Sequence, residues 1–189
     1  MVETLKTVST KPELIILYGS ETGNCEQISA DLQEELNTGE HSDFFSSALA
    51  KRQVQRFTLD QYRKAKLADK TGLKMMLVIC SSTGDGEGPE NTQEFFRFLR
   101  RESANETSTT LSHVYYTVLG LGSSDYSKYQ GAPRYIDERV GMLGATKFME
   151  RTEADEATSL EIVIEPYLET IGANLVKQVK ALKTLSTEE

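Results

Sequence analysis

Three short runs of this chain combine small residues, hydroxyls and amides in a way that suits a bound ligand. The first is Gly19-Ser20-Glu21-Thr22-Gly23-Asn24. Backbone N–H groups at a helix start lack intrahelical partners and attract an anion. Ser20 and Thr22 add hydroxyl donors, Asn24 adds an amide, and Gly23 lets the backbone curl round a phosphate. The lysine of the GxxxxGK[ST] triphosphate loop is missing, and Glu21 and Glu26 flank the run instead. A single phosphate monoester held by neutral donors fits better than a triphosphate. The plain alternative is a helix N-cap at Ser20 or Thr22.

The second run is Ser81-Ser82-Thr83-Gly84-Asp85-Gly86-Glu87-Gly88-Pro89. Glycines at alternate positions let backbone approach a flat ligand, and one such peptide can change orientation when a ring nitrogen gains a proton. A flexible surface loop is the bland reading. The third run, Gly120-Leu121-Gly122-Ser123-Ser124-Asp125-Tyr126-Ser127-Lys128-Tyr129, sets two tyrosines beside a tight glycine turn. Either ring can stack on an aromatic ligand, or sit in the core with its hydroxyl at the rim.

These runs need elements to position them. Leu14–Tyr18, Met75–Cys80 and Val114–Leu121 are continuous apolar stretches that end beside the three runs, the mark of strands covered on both faces. Helical spacing follows each run, over Cys25–Leu36, Thr92–Arg101 and Pro133–Leu143. Phe95, Phe96 and Leu99 form the inner face of the second helix, and Gly144 caps the third. Residues 37–73 are harder to read. A second strand is expected near Asp43–Ser47 or Gln53–Thr58, then a helix over Leu59–Ala68. A short strand near Thr146–Glu150 and a helix from Ser159 to Leu182, with Pro166 in its first turns or dividing it, complete the chain. Alternation of this kind predicts an α/β fold: a doubly wound, five-stranded parallel sheet in the flavodoxin-like order 2-1-3-4-5, with helices on both faces. The three runs then meet at the carboxyl edge of the sheet, where such folds bind ligands. The expected boundaries are a tail over 1–13, one domain over 14–183 and a tail over 184–189.

Composition narrows the function. The 189 residues carry a net charge of −8, which disfavours phosphate-rich nucleic acid and suits either a basic protein partner or plain solubility. Cys25, Cys80, His41 and His113 fall in no metal-binding spacing. Two cysteines are too few for a disulfide framework, so the chain reads as intracellular and cytoplasmic; it is expected to be a monomer. The polar start, Met1–Pro12, lacks the apolar core of a signal peptide, and no apolar run is long enough for a membrane span. A longer parent could still be anchored at the cytosolic face of a membrane.

LYGSETGNCEQI, SSTGDGEGPENTQEFF and LGLGSSDYSKYQGAPRYIDERVGMLGA resemble the FMN-binding domain of diflavin reductases. The resemblance covers about residues 14–175 and is weakest over 37–73. It implies FMN as cofactor. It also implies a phosphate loop of Ser20, Glu21, Thr22, Gly23, Asn24 and Cys25. Ser81, Ser82, Thr83, Gly84 and Gly86 would lie over one face of the flavin, with Gly84 as the redox-responsive peptide. Leu121, Gly122, Ser123, Tyr126, Tyr129 and Gln130 would supply the remaining ring and ribityl contacts, Tyr126 as the stacking aromatic. Asp155 and Glu156 would form an acidic loop beside the ring edge. Many members have tyrosine where this chain has Thr83. Threonine there, Gly88-Pro89 and the ending SLEIVIEPYLETI look most like the methionine synthase reductase branch; the microsomal NADPH-cytochrome reductases are also similar.

The implied function is a one-electron shuttle. An FAD/NADPH reductase module, in the same longer chain or separate, would supply electrons, and a haem, cobalamin or iron–sulfur protein would accept them. No catalytic acid, base or nucleophile is needed, because the flavin carries the chemistry, so the chain alone is not a complete enzyme. Negative charge at Glu21, Asp85, Asp155 and Glu156 would disfavour a negatively charged reduced flavin. Glu21, Glu87, Glu90, Asp155 and Glu156 would ring the exposed edge and meet basic partners, or simply be solvated. The rival readings are a flavodoxin-like NAD(P)H quinone reductase and a flavin-free signalling module of the same fold. Direct oxidation of NADPH would favour the first. The glycine-rich loops, and the lack of an aspartate ending the third strand, count against the second.

Overall fold

The structure is a computed structural model that describes residues 9–185, with side chains over 11–183. Parts of the expected tails, residues 1–8 and 186–189, lie outside the described residues. Strand β1 (Ser9–Gly19) is the hub, pairing in parallel with β2 (Gln55–Thr58) on one side and β3 (Gly72–Ser81) on the other. Next comes β4 (Val114–Gly122), and β5 (Thr146–Lys147) and β6 (Thr152–Asp155) both pair with β4, again in parallel. The order is β2-β1-β3-β4-β5, with β6 continuing the outer edge.

The apolar runs are continuous because both sheet faces are covered. Leu14, Ile16 and Tyr18 of β1, with Met75, Leu77 and Ile79 of β3, face a core shared with α1 (Asn24–Thr38), α2 (Ser42–Ala48) and α5 (Glu161–Leu185). Ile15 and Leu17, with Met76, Val78 and Cys80, face the core closed by α3 (Gln93–Ser103) and α4 (Gly131–Met142). Successive strand residues point to opposite faces, so one run fills both cores.

Four expectations need correction. First, β1 begins at Ser9, inside the stretch read as a tail, where Ser9 pairs with Gly72 and Glu13 with Lys74. Second, Asp43–Ser47 is helical, and the second strand takes the other expected position, at Gln55–Thr58. Third, Leu59–Ala68 forms no α-helix. Tyr62, Lys64, Ala65 and Lys66 donate to carbonyls three residues back, and Lys66 has φ 50. Leu59, Tyr62, Ala65 and Leu67 are nonetheless buried, so the apolar spacing marked the covered face while the hydrogen bonding tightened to 3₁₀-like turns. Fourth, the last strand is split. Phe148 N–H still bonds Tyr116 O at 3.0 Å, but pairing stops until Thr152. On α3 the buried aromatics are Phe95 and Phe98, while Phe96 is half-buried against Tyr135. Gly144, at φ 86, closes α4 with its N–H on Gly141 O at 3.0 Å. Pro166 lies within α5, where it cannot donate to the Ile162 carbonyl.

Candidate cofactor site

The strand ends Gly19, Ser81, Gly122 and Asp155 lie at one edge of the parallel sheet. Between them is a cleft of about 140 Å³ lined by Glu21, Thr22, Asn24, Ser81, Ser82, Thr83, Leu121, Gly122, Glu156 and Leu160. Residues from all three glycine-containing runs therefore converge, with Glu156 and Leu160 from the segment after β6. Wider troughs of about 580 Å³ beside Lys51–Phe57 and about 500 Å³ between α1 and α5 lie away from these strand ends.

The first loop is an array of unengaged donors. Gly23, at φ 99, is the N-cap of α1, and no side chain caps the helix. Ser20 N–H donates to Asn91 Oδ1 at 3.1 Å and Gly23 N–H to Ser20 Oγ at 3.1 Å. The N–H groups of Glu21, Thr22, Asn24, Cys25 and Glu26 have no hydrogen-bond acceptor among the described residues. Helix dipole and free N–H groups together make this end of α1 a receptor for an anion. Glu21 is not simply a free charge, because its Oε2 accepts from Glu90 N–H at 3.3 Å. Cys25 offers the site only its backbone: the thiol is buried, which pushes it up to about 12.

The second and third loops pack backbone to backbone. Gly86 has φ 81, and a Cβ there would lie 2.9 Å from Lys128 O. Ser82 N–H donates to Leu121 O at 2.9 Å, and Ser82 Oγ accepts from Ala132 N–H at 3.0 Å. Thr83 and Glu87 close the turn, with Thr83 N–H on Glu87 O at 2.9 Å. Inside that turn the Gly84 peptide is different. At φ 33 it has open space where a Cβ would stand, and its own N–H and C=O make no hydrogen bond among the described residues.

Several predicted residues turn toward the protein instead of the cleft. Gln130, with left-handed φ 59, is fully buried and donates from Nε2 to Gly120 O at 3.2 Å and Ala154 O at 3.0 Å. It braces β4 against β6. Asp155 accepts from the N–H groups of Ser124 at 2.9 Å and Ala157 at 3.0 Å, and hydrogen bonding from the Ser124 side chain first, then from these N–H groups, holds its carboxyl below the ordinary range. Ser123 Oγ accepts from Asp125 N–H at 3.3 Å. Tyr129 is half-buried beneath Arg134, 5.5 Å from its ring centre, whereas Tyr126 is 57% exposed. Asn91, Leu160, Lys128 and Gly131 were not singled out from sequence. Asn91 follows the second run closely enough to have been a candidate, and Lys128 and Gly131 lie in or just after the third.

Arg134 couples the third loop to β6. Its guanidinium grips Glu153 through Nε–Oε1 at 2.9 Å and Nη2–Oε2 at 2.8 Å, and Arg151 adds a 2.8 Å contact. The Arg134 hydrogen bond, more than the Arg151 one, holds Glu153 below its ordinary value of 4.5. A carboxylate lowered on folding contributes stability that is present above its unfolded value and is lost as pH falls through the lowered one. The melting temperature is therefore expected to fall less steeply below pH 4.5 in Glu153→Gln than in the wild type. Parallel curves in a pH series of thermal melts would contradict this.

Known proteins place the fold. Methionine synthase reductase of Caenorhabditis elegans is 33% identical over 166 residues, covering 88% of this chain but 22% of its own length. NADPH-dependent diflavin oxidoreductase 1 of Candida albicans is 33% identical over 177 residues, covering 92% of this chain and 28% of its own. This chain thus spans about a quarter of the relatives it matches. A cysteine-to-serine mutant of flavodoxin from Pseudomonas aeruginosa superposes with a TM-score of 0.60 at 22% identity, covering 86% of this chain and 98% of that one. FMN is the cofactor of the family to which these matches lead. The Flavodoxin family profile matches residues 16–168, so the chain, with its 2-1-3-4-5 sheet and converging loops, belongs to the flavodoxin family.

Proposed function

We propose that this chain is an FMN-binding electron-transfer domain that passes single electrons from an FAD/NADPH reductase module to a metal-centre acceptor protein. The observation that carries the reading is the row of free N–H groups at the start of α1, opening on the same cleft as Thr83 and Glu156. Five N–H groups unengaged among the described residues, with the Thr22 hydroxyl, match a phosphate monoester in charge and number. The share of its relatives that this chain spans, and their names, support a reductase module, in the same longer chain or in a separate protein.

In this reading FMN, once bound, supplies the one-electron chemistry, and the chain's residues bind and tune it. Residues 20–26 take the phosphate. Thr83 and Tyr126 cover the two ring faces, and Leu121 and Gly122 line the ring edge. The Gly84 peptide, without a hydrogen bond among the described residues, could present either its C=O or its N–H to a ring nitrogen of the flavin. Glu156 places negative charge at the rim, while Asp155 fixes the loop that carries it. Among the described residues no helix is long and apolar enough to cross a membrane.

The purified chain is expected to turn yellow with added FMN, to prefer FMN to riboflavin, and to take up electrons in two separate one-electron steps during a reductive titration. A chain that stays colourless with FMN overturns the reading. A single two-electron step overturns the shuttle.

A further inference from the structure

The first turn of α1 contains a residue that would ordinarily close the anion site. Glu26 is the third helical residue after the N-cap Gly23. In a capping box, glutamate at that position turns back toward the helix start and accepts from the N-cap N–H, which here, at Gly23, is already held by Ser20 Oγ at 3.1 Å. Glu26 does not turn back. Glu26 Oε1 accepts from the Tyr18 hydroxyl at 3.2 Å, and the helix start has no side-chain cap.

Arg56 supports this arrangement from β2. Its register partner is Ile16, two residues before Tyr18 and on the same sheet face. The guanidinium lies 5.1 Å from the Tyr18 ring centre. It donates to Ser29 Oγ at 3.2 Å and Gln33 Oε1 at 3.3 Å, and reaches the Glu26 carbonyl at 3.5 Å. Tyr18 is buried, and this burial, then the nearby Glu26, raises its hydroxyl above the ordinary range, so it remains a donor at neutral pH.

We propose that Tyr18 and Arg56 form a latch that holds the Glu26 carboxylate off the start of α1, leaving those N–H groups free for the phosphate of FMN. The inference rests on the FMN reading above. Tyr18 and Arg56 are positioning residues, because they touch Glu26 and each other and reach the phosphate only through Glu26. Released, Glu26 would be drawn toward the positive start of α1 and set its own negative charge against the phosphate. A ligand without a phosphate would not feel this competition, which separates the latch from a general role in folding.

The test compares FMN with riboflavin. Tyr18→Phe removes one hydroxyl without changing the shape of the side chain. It is expected to weaken FMN binding about tenfold while riboflavin affinity changes less than about twofold. Adding Glu26→Gln to Tyr18→Phe is expected to restore FMN affinity to within about threefold of wild type. Arg56→Gln should show the same selective loss, and serves if Tyr18→Phe does not fold. Wild-type FMN affinity in Tyr18→Phe, equal losses for both ligands, or no rescue by Glu26→Gln would each overturn the latch. A wild-type chain that refuses FMN would overturn the underlying reading as well, and is recognised by failing before any variant is compared.

Discussion

Alanine at Gly131 is expected to cost about 2–3 kcal/mol of stability, the upper part of the range for forcing extra volume into a packed site. At about 2–4 °C per kcal/mol for a domain of this size, the melting temperature should drop by about 5–10 °C. The cause is a contact between two main chains. A Cβ on Gly131 would stand 2.5 Å from Gly86 O and 2.8 Å from Gly86 Cα. Neither atom belongs to a side chain that can rotate away, so the second and third loops must separate. FMN affinity should fall more than about tenfold, because loops on both sides of the cleft move together. Gly72→Ala is the control. A Cβ there meets nothing within 4 Å, so its melting temperature should stay near that of the wild type. Calorimetry with a fluorescence titration of FMN checks both variants. A Gly131→Ala protein that melts within about 2 °C of wild type would contradict the account.

Tyr126→Ala should act on the ligand and leave the fold alone. Tyr126 is 57% exposed, one of three large hydrophobic side chains so exposed among the described residues. Its backbone is nevertheless held, with its N–H on Ser123 O at 3.1 Å and its C=O accepting from Tyr129 N–H at 3.2 Å. A hydrogen-bonded turn that presents an unpacked ring is suited to stacking on a ligand. Ring stacking worth about 1–3 kcal/mol corresponds to about a 5- to 150-fold loss of FMN affinity in the alanine variant. Tyr126→Phe keeps the ring and should bind within about threefold of wild type. The melting temperature of the flavin-free protein should barely move in either variant, since little packing is lost. Equal FMN affinity in wild type and Tyr126→Ala would remove Tyr126 from the site. A large fall in flavin-free stability would make it a structural residue.

The amino-acid sequence by itself determined the parallel, doubly wound sheet and the edge at which its loops meet. Leu14–Tyr18, Met75–Cys80 and Val114–Leu121 can be recognised because burial on both faces demands unbroken apolar runs, and burial is what residue type records. The helix start near Gly23 was legible from helical spacing after a glycine-containing loop, while the lack of a side-chain cap at Ser20 or Thr22 was not. Tertiary structure decided what local pattern cannot record, namely the choice among hydrogen-bond partners distant in sequence. SDFFSSA satisfies a short helix or a strand until Phe45 and Ala48 find their core. Thr152–Asp155 buries only Ala154, so β6 gives no apolar run and exists because β4 offers it a partner. In the site, the family resemblance implied Gln130 and Asp155 as ligand contacts. Gln130 is held by the Gly120 and Ala154 carbonyls, because a buried carbonyl left unsatisfied costs more than a polar side chain turned inward, and Asp155 is held by the exposed Ser124 N–H. Glu26 shows the reverse case: its position in the helix invited it to cap, and Tyr18, with Arg56 from a distant strand beside it, drew it away.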